Sequence, residues 1–306
     1  MIDLNHWIAE YLMHCKYSKG LNEKTLKAYR IDLKQFKEYM EMHHFDCQRE
    51  NIGAYVKQLH DHYKIKTVKR KIASIKSFFH YLEYEEIITE SPFVKLRIRL
   101  HEPFLLPRTI PLSVISTLLR CAYEEKNCQQ GTEYRKNCIC RDIAILELLF
   151  ATGMRVSELC SLRKEAVDLT ERTVKIYGKG AKERMIQIGN DDALAALREY
   201  YNVFASKIES TGWVFVNRLQ RQLSDQSVRF MINKYVTLAN IDMHITPHMF
   251  RHSFATLLLE EDVDVRYIQQ LLGHSSVVTT QIYTHVTASK QLNILATKHP
   301  RNKISV

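Results

Sequence analysis

Two apolar stripes of helical period stand out in the first hundred residues. Leu26, Tyr29, Leu33, Phe36 and Met40 recur at steps of three and four, which sets them along one face of a helix, and Asn22 stands where its side chain can cap the first turn. Val68, Ile72, Ile75, Phe79 and Leu82 repeat the pattern. On this second helix Lys69 and Lys76 fall on one flank, while Arg70, Ser74 and Ser77 fall opposite the apolar stripe. A basic, hydroxyl-rich face suits contacts to phosphates and base edges in a major groove. Taken alone, such a face more often simply meets solvent.

The period then breaks. Four of the six prolines, Pro92, Pro103, Pro107 and Pro111, crowd one short stretch, and proline fixes φ and removes an amide donor. The expected organisation is a helical domain over residues 1–100, a proline-rich linker over 101–111 and a second domain over 112–306. Within the second domain, Asp142 to Thr152 reads as an apolar helix stopped by Gly153, a residue suited to the left-handed position after a helix end. From Thr173 to Ile188 the period shortens to two. Val174 and Ile176 alternate with polar neighbours, Gly178-Lys179-Gly180 supplies a tight turn, and Met185, Ile186 and Ile188 follow, which is the pattern of a β-hairpin. Helices return afterwards, with Gly273 ending one and Thr279 placed to cap the next. The fold class expected is mainly α with a small antiparallel sheet, in two domains.

Composition narrows the function classes. The 306 residues are 45% hydrophobic and 25% charged, the balance of an ordinary globular chain. Lys and Arg number 44 against 34 Asp and Glu, a net charge of +10, which points to a polyanionic partner but is shared by many basic enzymes. No stretch offers the ~18 uncharged apolar residues of a membrane span. Ile143 to Met154 is too short and carries Glu147, and Asp3, His6 and Glu10 interrupt any signal-like start. A cytoplasmic protein with reduced thiols is expected. Of seven cysteines, Cys121, Cys128, Cys138 and Cys140 cluster, but without a CxxC pair, so no metal site is assigned to them.

Candidate chemistry lies in the second domain. His248 and Arg251 stand three apart, on one helix face, behind a first-turn proline at Pro247. His252 follows His248 by four, the step of two zinc ligands, yet Met249 occupies the place where a metalloprotease carries Glu. Gly178-Lys179-Gly180 is followed by alanine and a strand, unlike an ATP-binding phosphate loop. Together, Arg155 after a helix-ending glycine, Lys179 on a hairpin tip, His248 with Arg251, His274 after Gly273, and Tyr283 make a set suited to a phosphodiester. Arginine offers a planar fork to non-bridging phosphate oxygens, and two such clamps stabilise transition-state charge by preorganised electrostatics.

Five segments give the set a context. Ala151-Thr-Gly-Met-Arg-Val-Ser-Glu-Leu159, Gly178-Lys-Gly-Ala-Lys-Glu-Arg184, Thr246-Pro-His-Met-Phe-Arg-His-Ser-Phe-Ala-Thr256, Leu271-Leu-Gly-His274 and Thr279-Thr-Gln-Ile-Tyr-Thr-His-Val286 resemble, in order and spacing, the tyrosine recombinases. The chain looks most like the compact Xer type and related mobile-element integrases, from about Tyr11 to about Pro300. The resemblance implies Tyr283 as nucleophile, Arg155 and Arg251 as the two arginines, Lys179 as general acid, His248 as helper in proton removal, His274 as a phosphate contact and Glu158 as a support behind the site. It further implies a 3′-phosphotyrosine intermediate, no ATP and no metal or other cofactor. Double-stranded DNA is the implied partner, gripped by the N-terminal domain.

A terminal helix over Ala288 to His299, with Leu292, Leu295 and Ala296 on one side, would dock on a neighbouring protomer in a tetramer around two duplexes. The same stripe also fits a helix packed on its own domain. Cys121 to Cys140 looks longer than in chromosomal Xer proteins, which leaves dimer resolution and mobile-element integration both open, along with a partner recombinase. Two further readings are a type IB topoisomerase that relaxes DNA without pairing sites, and a sequence-specific DNA-binding protein with a decayed site. The complete catalytic set stands against the decayed site; the compact N-terminal domain and the terminal helix stand against the topoisomerase.

Overall fold

Asn22 begins the helix that the first apolar stripe predicts, its side-chain oxygen accepting the Thr25 N–H at 2.9 Å. This is seen in a computed structural model that describes residues 3–94, 96, 98, 100, 108–128, 131–177 and 183–273. The chain divides into two units, Met1–Leu105 and Leu106–Val306.

Among the described residues the first unit holds the helices α1 (Leu4–Tyr17), α2 (Glu23–Met42), α3 (Arg49–His62) and α4 (Ile65–Tyr84). Leu26, Leu33, Phe36 and Met40 of α2 are buried, as are Val68, Ile72, Ile75, Phe79 and Leu82 of α4. Phe36 stands edge-on to Tyr55 of α3 at 5.3 Å and to Phe79 at 5.9 Å, which locks the three helices through aromatic contact.

The rest of α4 departs from expectation. Ser74 is fully buried, and with Phe78 and Tyr81 it forms a second buried stripe at steps of four and three. That stripe packs on α1, where the Tyr11 hydroxyl donates to Ser77 Oγ at 2.7 Å. Ser74 and Ser77 therefore do not lie on an open groove-reading face, because α4 is enclosed on two sides. Arg70 is exposed but ion-paired with Asp32 of α2, which is fully buried. Lys69 is partly buried and Lys76 is exposed. What α4 offers to a polyanion is its cations, Arg70 among them held by Asp32, rather than its hydroxyls.

Asp32 also accepts from Lys71 at 3.2 Å, and this lysine, 2% exposed, bonds to Gln35 and lies 4.8 Å from the Tyr63 ring centre. A buried ammonium stripped of its carboxylate has no comparable partner. Asp32→Asn is therefore expected to cost about 3–5 kcal/mol in urea denaturation. A loss below about 1 kcal/mol would mean that Lys71 finds water or another acceptor.

The second unit is built on α6 (Glu133–Thr152), buried without interruption from Asp142 to Leu149, as a helix surrounded on all sides must be. Around it pack α5 (Leu112–Asn127), α8 (Asp191–Thr211), α9 (Asp225–Leu238) and α10 (Pro247–Glu260). The clustered cysteines lie on α5, on α6 and at the turn between them, and none of the seven cysteines, all among the described residues, forms a disulfide. Short α7 (Val156–Cys160) leads to an antiparallel sheet ordered β1 (Val167–Asp168), β2 (Thr173–Tyr177), β3 (Glu183–Gln187).

The register of the sheet pairs Val174 with Ile186 and Ile176 with Arg184. Val174, Ile176, Ile186 and Ile188 are buried as expected, whereas Met185 points outward, 64% exposed. Helix α11 (Val265–Leu272) packs against β3 and α10. Among the described residues no helix is long and apolar enough to cross a membrane.

Candidate active site

The site starts where α6 stops. Gly153 adopts a left-handed φ of 58°, and a Cβ there would stand 2.5 Å from the Phe254 ring and 3.1 Å from Leu272. Glycine is thus required twice over, by conformation and by space. The reversal delivers Arg155 to the start of α7. There its backbone N–H donates to Glu158 Oε2 at 2.8 Å and its Nη1 to Glu158 Oε1 at 2.8 Å. Glu158 is 6% exposed, while the Arg155 side chain remains 36% exposed.

Arg184, on the inward face of β3, completes the cluster. Its Nη1 and Nη2 donate to Glu158 Oε1 and Oε2 at 3.0 and 2.7 Å, and its Nε donates to the Leu271 carbonyl at 3.0 Å. Burial alone would raise the Glu158 pKa, but the Arg184 fork, the Arg155 N–H, the Arg184 charge and the Arg155 side-chain hydrogen bond hold it down at about 2. Glu158 is therefore a fixed negative charge at any physiological pH. Glu158 thus joins Arg155 and Arg184 through hydrogen bonds to both. Arg184 was not among the expected site residues. Its signal was the alternation that carries it inward with Ile186 and Ile188, a place where a strand would ordinarily put another apolar residue.

Arg251 reaches the same turn from α10, whose first residue is Pro247. It is 4% exposed, and its Nη1 and Nη2 donate to the carbonyls of Gly153 at 2.9 Å and Leu272 at 2.6 Å. Arg184 and Arg251 thus hold consecutive carbonyls at the end of α11, where a helix carries its unsatisfied acceptors and the negative end of its dipole. Gly273 then ends α11 with a φ of 65°.

His248, one turn before Arg251, is exposed to solvent. Partial desolvation and then the charges of Arg229, Arg251 and Arg155 nevertheless hold its pKa below the ordinary histidine value. The ring is neutral at physiological pH and can accept a proton. In an NMR titration of the free protein, the His248 ring is expected to titrate with a midpoint below 6.5, and Arg229→Gln is expected to move that midpoint upward. A midpoint above 6.5 in the unmutated protein would mean that the flanking arginines do not act on this ring.

The structure thus brings together Arg155, Glu158, His248 and Arg251, with Arg184 and Arg229 added. Lys179, His274, Thr279, Tyr283 and the terminal residues Leu292, Leu295 and Ala296 lie outside the described residues. No group of three His, Cys, Asp or Glu side chains among the described residues stands close enough to hold a metal ion.

Comparison with known proteins gives concordant matches to both units. The phage integrase family model matches residues 124–290, and the phage integrase N-terminal SAM-like domain matches residues 8–86. A tyrosine recombinase of Agathobacter rectalis is 52% identical over 304 residues, covering 98% of each chain. Tyrosine recombinase XerD of Staphylococcus saprophyticus is 36% identical over 302 residues, covering 96% of this chain and 98% of that one. Among solved structures, the XerH site-specific recombinase bound to palindromic difH substrate, a post-cleavage complex, superposes with a TM-score of 0.73 at 19% identity, over 94% of this chain and 83% of that one.

Proposed function

This chain belongs to the phage integrase family and is a tyrosine site-specific recombinase, and we propose that Tyr283 is its nucleophile, served by Arg155, Lys179, His248, Arg251 and His274. The substrate is double-stranded DNA. The observation that carries this reading is the joint anchoring of Arg155 and Arg251 on the 153–155 turn, with a neutral imidazole on the same helix as Arg251.

The Tyr283 hydroxyl attacks a DNA phosphorus as His248 takes its proton. Arg155, Arg251 and His274 hold the non-bridging oxygens, and Lys179 gives a proton to the departing 5′-oxygen. One phosphoester bond forms to the tyrosine and one breaks to the sugar, which leaves a 3′-phosphotyrosine and a free 5′-hydroxyl. A 5′-hydroxyl from a second duplex then attacks that phosphorus, and the tyrosine departs with a proton. Each step exchanges one phosphodiester for another, so no ATP is consumed.

Exchange between two duplexes breaks four strands, and one tyrosine serves each break. Four protomers are therefore required, and the segment bearing Leu292, Leu295 and Ala296 is the proposed link between neighbours. In the first unit, Lys69, Arg70 and Lys76 are the residues of α4 proposed to meet DNA phosphate. The decisive experiment recovers and sequences DNA tethered to Tyr283 in native cells. One recurrent sequence is expected, and its place, once per chromosome or at the ends of a mobile element, separates dimer resolution from integration and excision. Tethering without sequence preference would favour a relaxing enzyme of type IB, and an absence of tethered DNA would overturn the reading.

A further inference from the structure

The Glu158 carboxylate lies between two guanidiniums, and their roles are not alike. Arg155 is 36% exposed, but the Arg184 side chain is 10% exposed and spends three N–H groups on Glu158 and Leu271. The latter is enclosed at Gly273 as well, where a Cβ would fall 2.8 Å from its Cδ. Two positive charges and one negative charge leave the trio with a net +1. If Arg184 were absent, Glu158 and Arg155 would form a one-to-one pair, and a phosphate approaching Arg155 would meet a nearly neutral ion pair. At contact distances inside a partly desolvated site that difference is large.

We propose that Arg184 is a positioning residue that neutralises Glu158, so that Glu158 can hold Arg155 in place without cancelling the charge Arg155 brings to the DNA phosphate. This rests on the assignment of Arg155 as a phosphate clamp. It goes beyond that assignment in giving a separate residue, one that does not touch DNA, control over how much charge the clamp delivers. The inference differs from simple stapling of β3 to α7 and α11 in one consequence. A staple gains nothing when a second of its bonds is removed. A charge balance is restored when the opposing charge goes too.

The test uses the full-length protein and a nicked duplex carrying the sequence recovered from tethered DNA, with single-turnover formation of the covalent adduct as the readout. Arg184→Met keeps the aliphatic stem and is expected to slow the adduct about 100-fold, the scale of losing one transition-state stabilising group. In the double variant Arg184→Met with Glu158→Gln, the rate is expected to recover to within about tenfold of the unmutated protein, a coupling between contacting residues that a double-mutant cycle isolates. A double variant no faster than Arg184→Met would overturn the proposal and leave Arg184 a staple.

Arg184→Lys keeps the charge and loses the fork. It is expected to stay within about tenfold of the unmutated rate, and it carries the test by itself if Arg184→Met does not fold. A lysine variant as slow as about 100-fold would also overturn the proposal. Arg155→Ala is run alongside. If it forms adduct at the unmutated rate, the clamp assignment fails first, and the charge-balance inference falls with it for a reason the double variant does not share.

Discussion

Tyr283→Phe is expected to bind DNA as the unmutated protein does and to form no covalent adduct. The change removes one oxygen and keeps the ring, and under the proposed assignment that oxygen is the atom that joins phosphorus. The expected fall in adduct is at least about 1,000-fold, since residues acting as one catalytic unit lose nearly everything singly. Other tyrosines supply the controls. Tyr235 is fully buried, its hydroxyl lies 3.5 Å from Asp142 Oδ2, and burial together with the nearby acids drives its pKa upward, all of which unfit it as a nucleophile. Tyr177 and Tyr267 are exposed, at 54% and 65%, and reachable by DNA. Their phenylalanine variants are expected to keep the adduct. A nicked suicide substrate and a denaturing gel decide the matter, and an undiminished adduct in Tyr283→Phe would place the nucleophile on another residue.

Local pattern made much of this fold legible. The α2 stripe from Leu26 to Met40, the Gly153 and Gly273 helix ends and the two long strands of the hairpin each follow from periodicity or from one residue's conformational freedom. Local pattern failed where a residue's partner lies far along the chain. Ser74 and Ser77 look outward from the stripe of Val68, Ile72 and Ile75, but α1 covers that side, and only the spacing of Ser74, Phe78 and Tyr81 hinted at a second contact face. Arg70 reads as a free cation until α2 brings Asp32 beside it. Strand β1 has two residues, too few for any period to register.

The candidate site shows the same division. Arg155 and Glu158 are three apart on one helical turn, so their pairing is close to a local property. His248 and Arg251 share a helix for the same reason. Arg184 is 26 residues from Glu158 and 87 from the Leu271 carbonyl it holds, distances that no helical or strand period spans. Arg229 likewise reaches His248 only through the packing of α9 on α10. The residues proposed to meet the substrate were picked out by motif and chemistry. Those that set their charge and direction became visible only through tertiary contact.

The general acid is the remaining assignment with a large expected effect. Lys179 and Lys182 both stand in the sequence between β2 and β3, whose facing residues Tyr177 and Glu183 are a cross-strand pair. Lys175, next along β2, is already bonded to Glu183 at 2.7 Å and is set aside. An alkoxide leaves poorly and needs a proton as its bond to phosphorus breaks. A thiolate needs none, because thiols ionise near a pKa of about 8.5. Replacing the bridging 5′-oxygen with sulfur is therefore expected to restore cleavage by Lys179→Ala to within about tenfold of the unmutated protein, from a deficit on the oxygen substrate of about 100-fold or more. Arg155→Ala should gain little from sulfur, because its lost contact is to a non-bridging oxygen that sulfur substitution leaves alone. Lys182→Ala should cleave the ordinary oxygen substrate at most of the unmutated rate. Rescue of Lys182→Ala by sulfur, with none for Lys179→Ala, would move the acid three residues along the sequence.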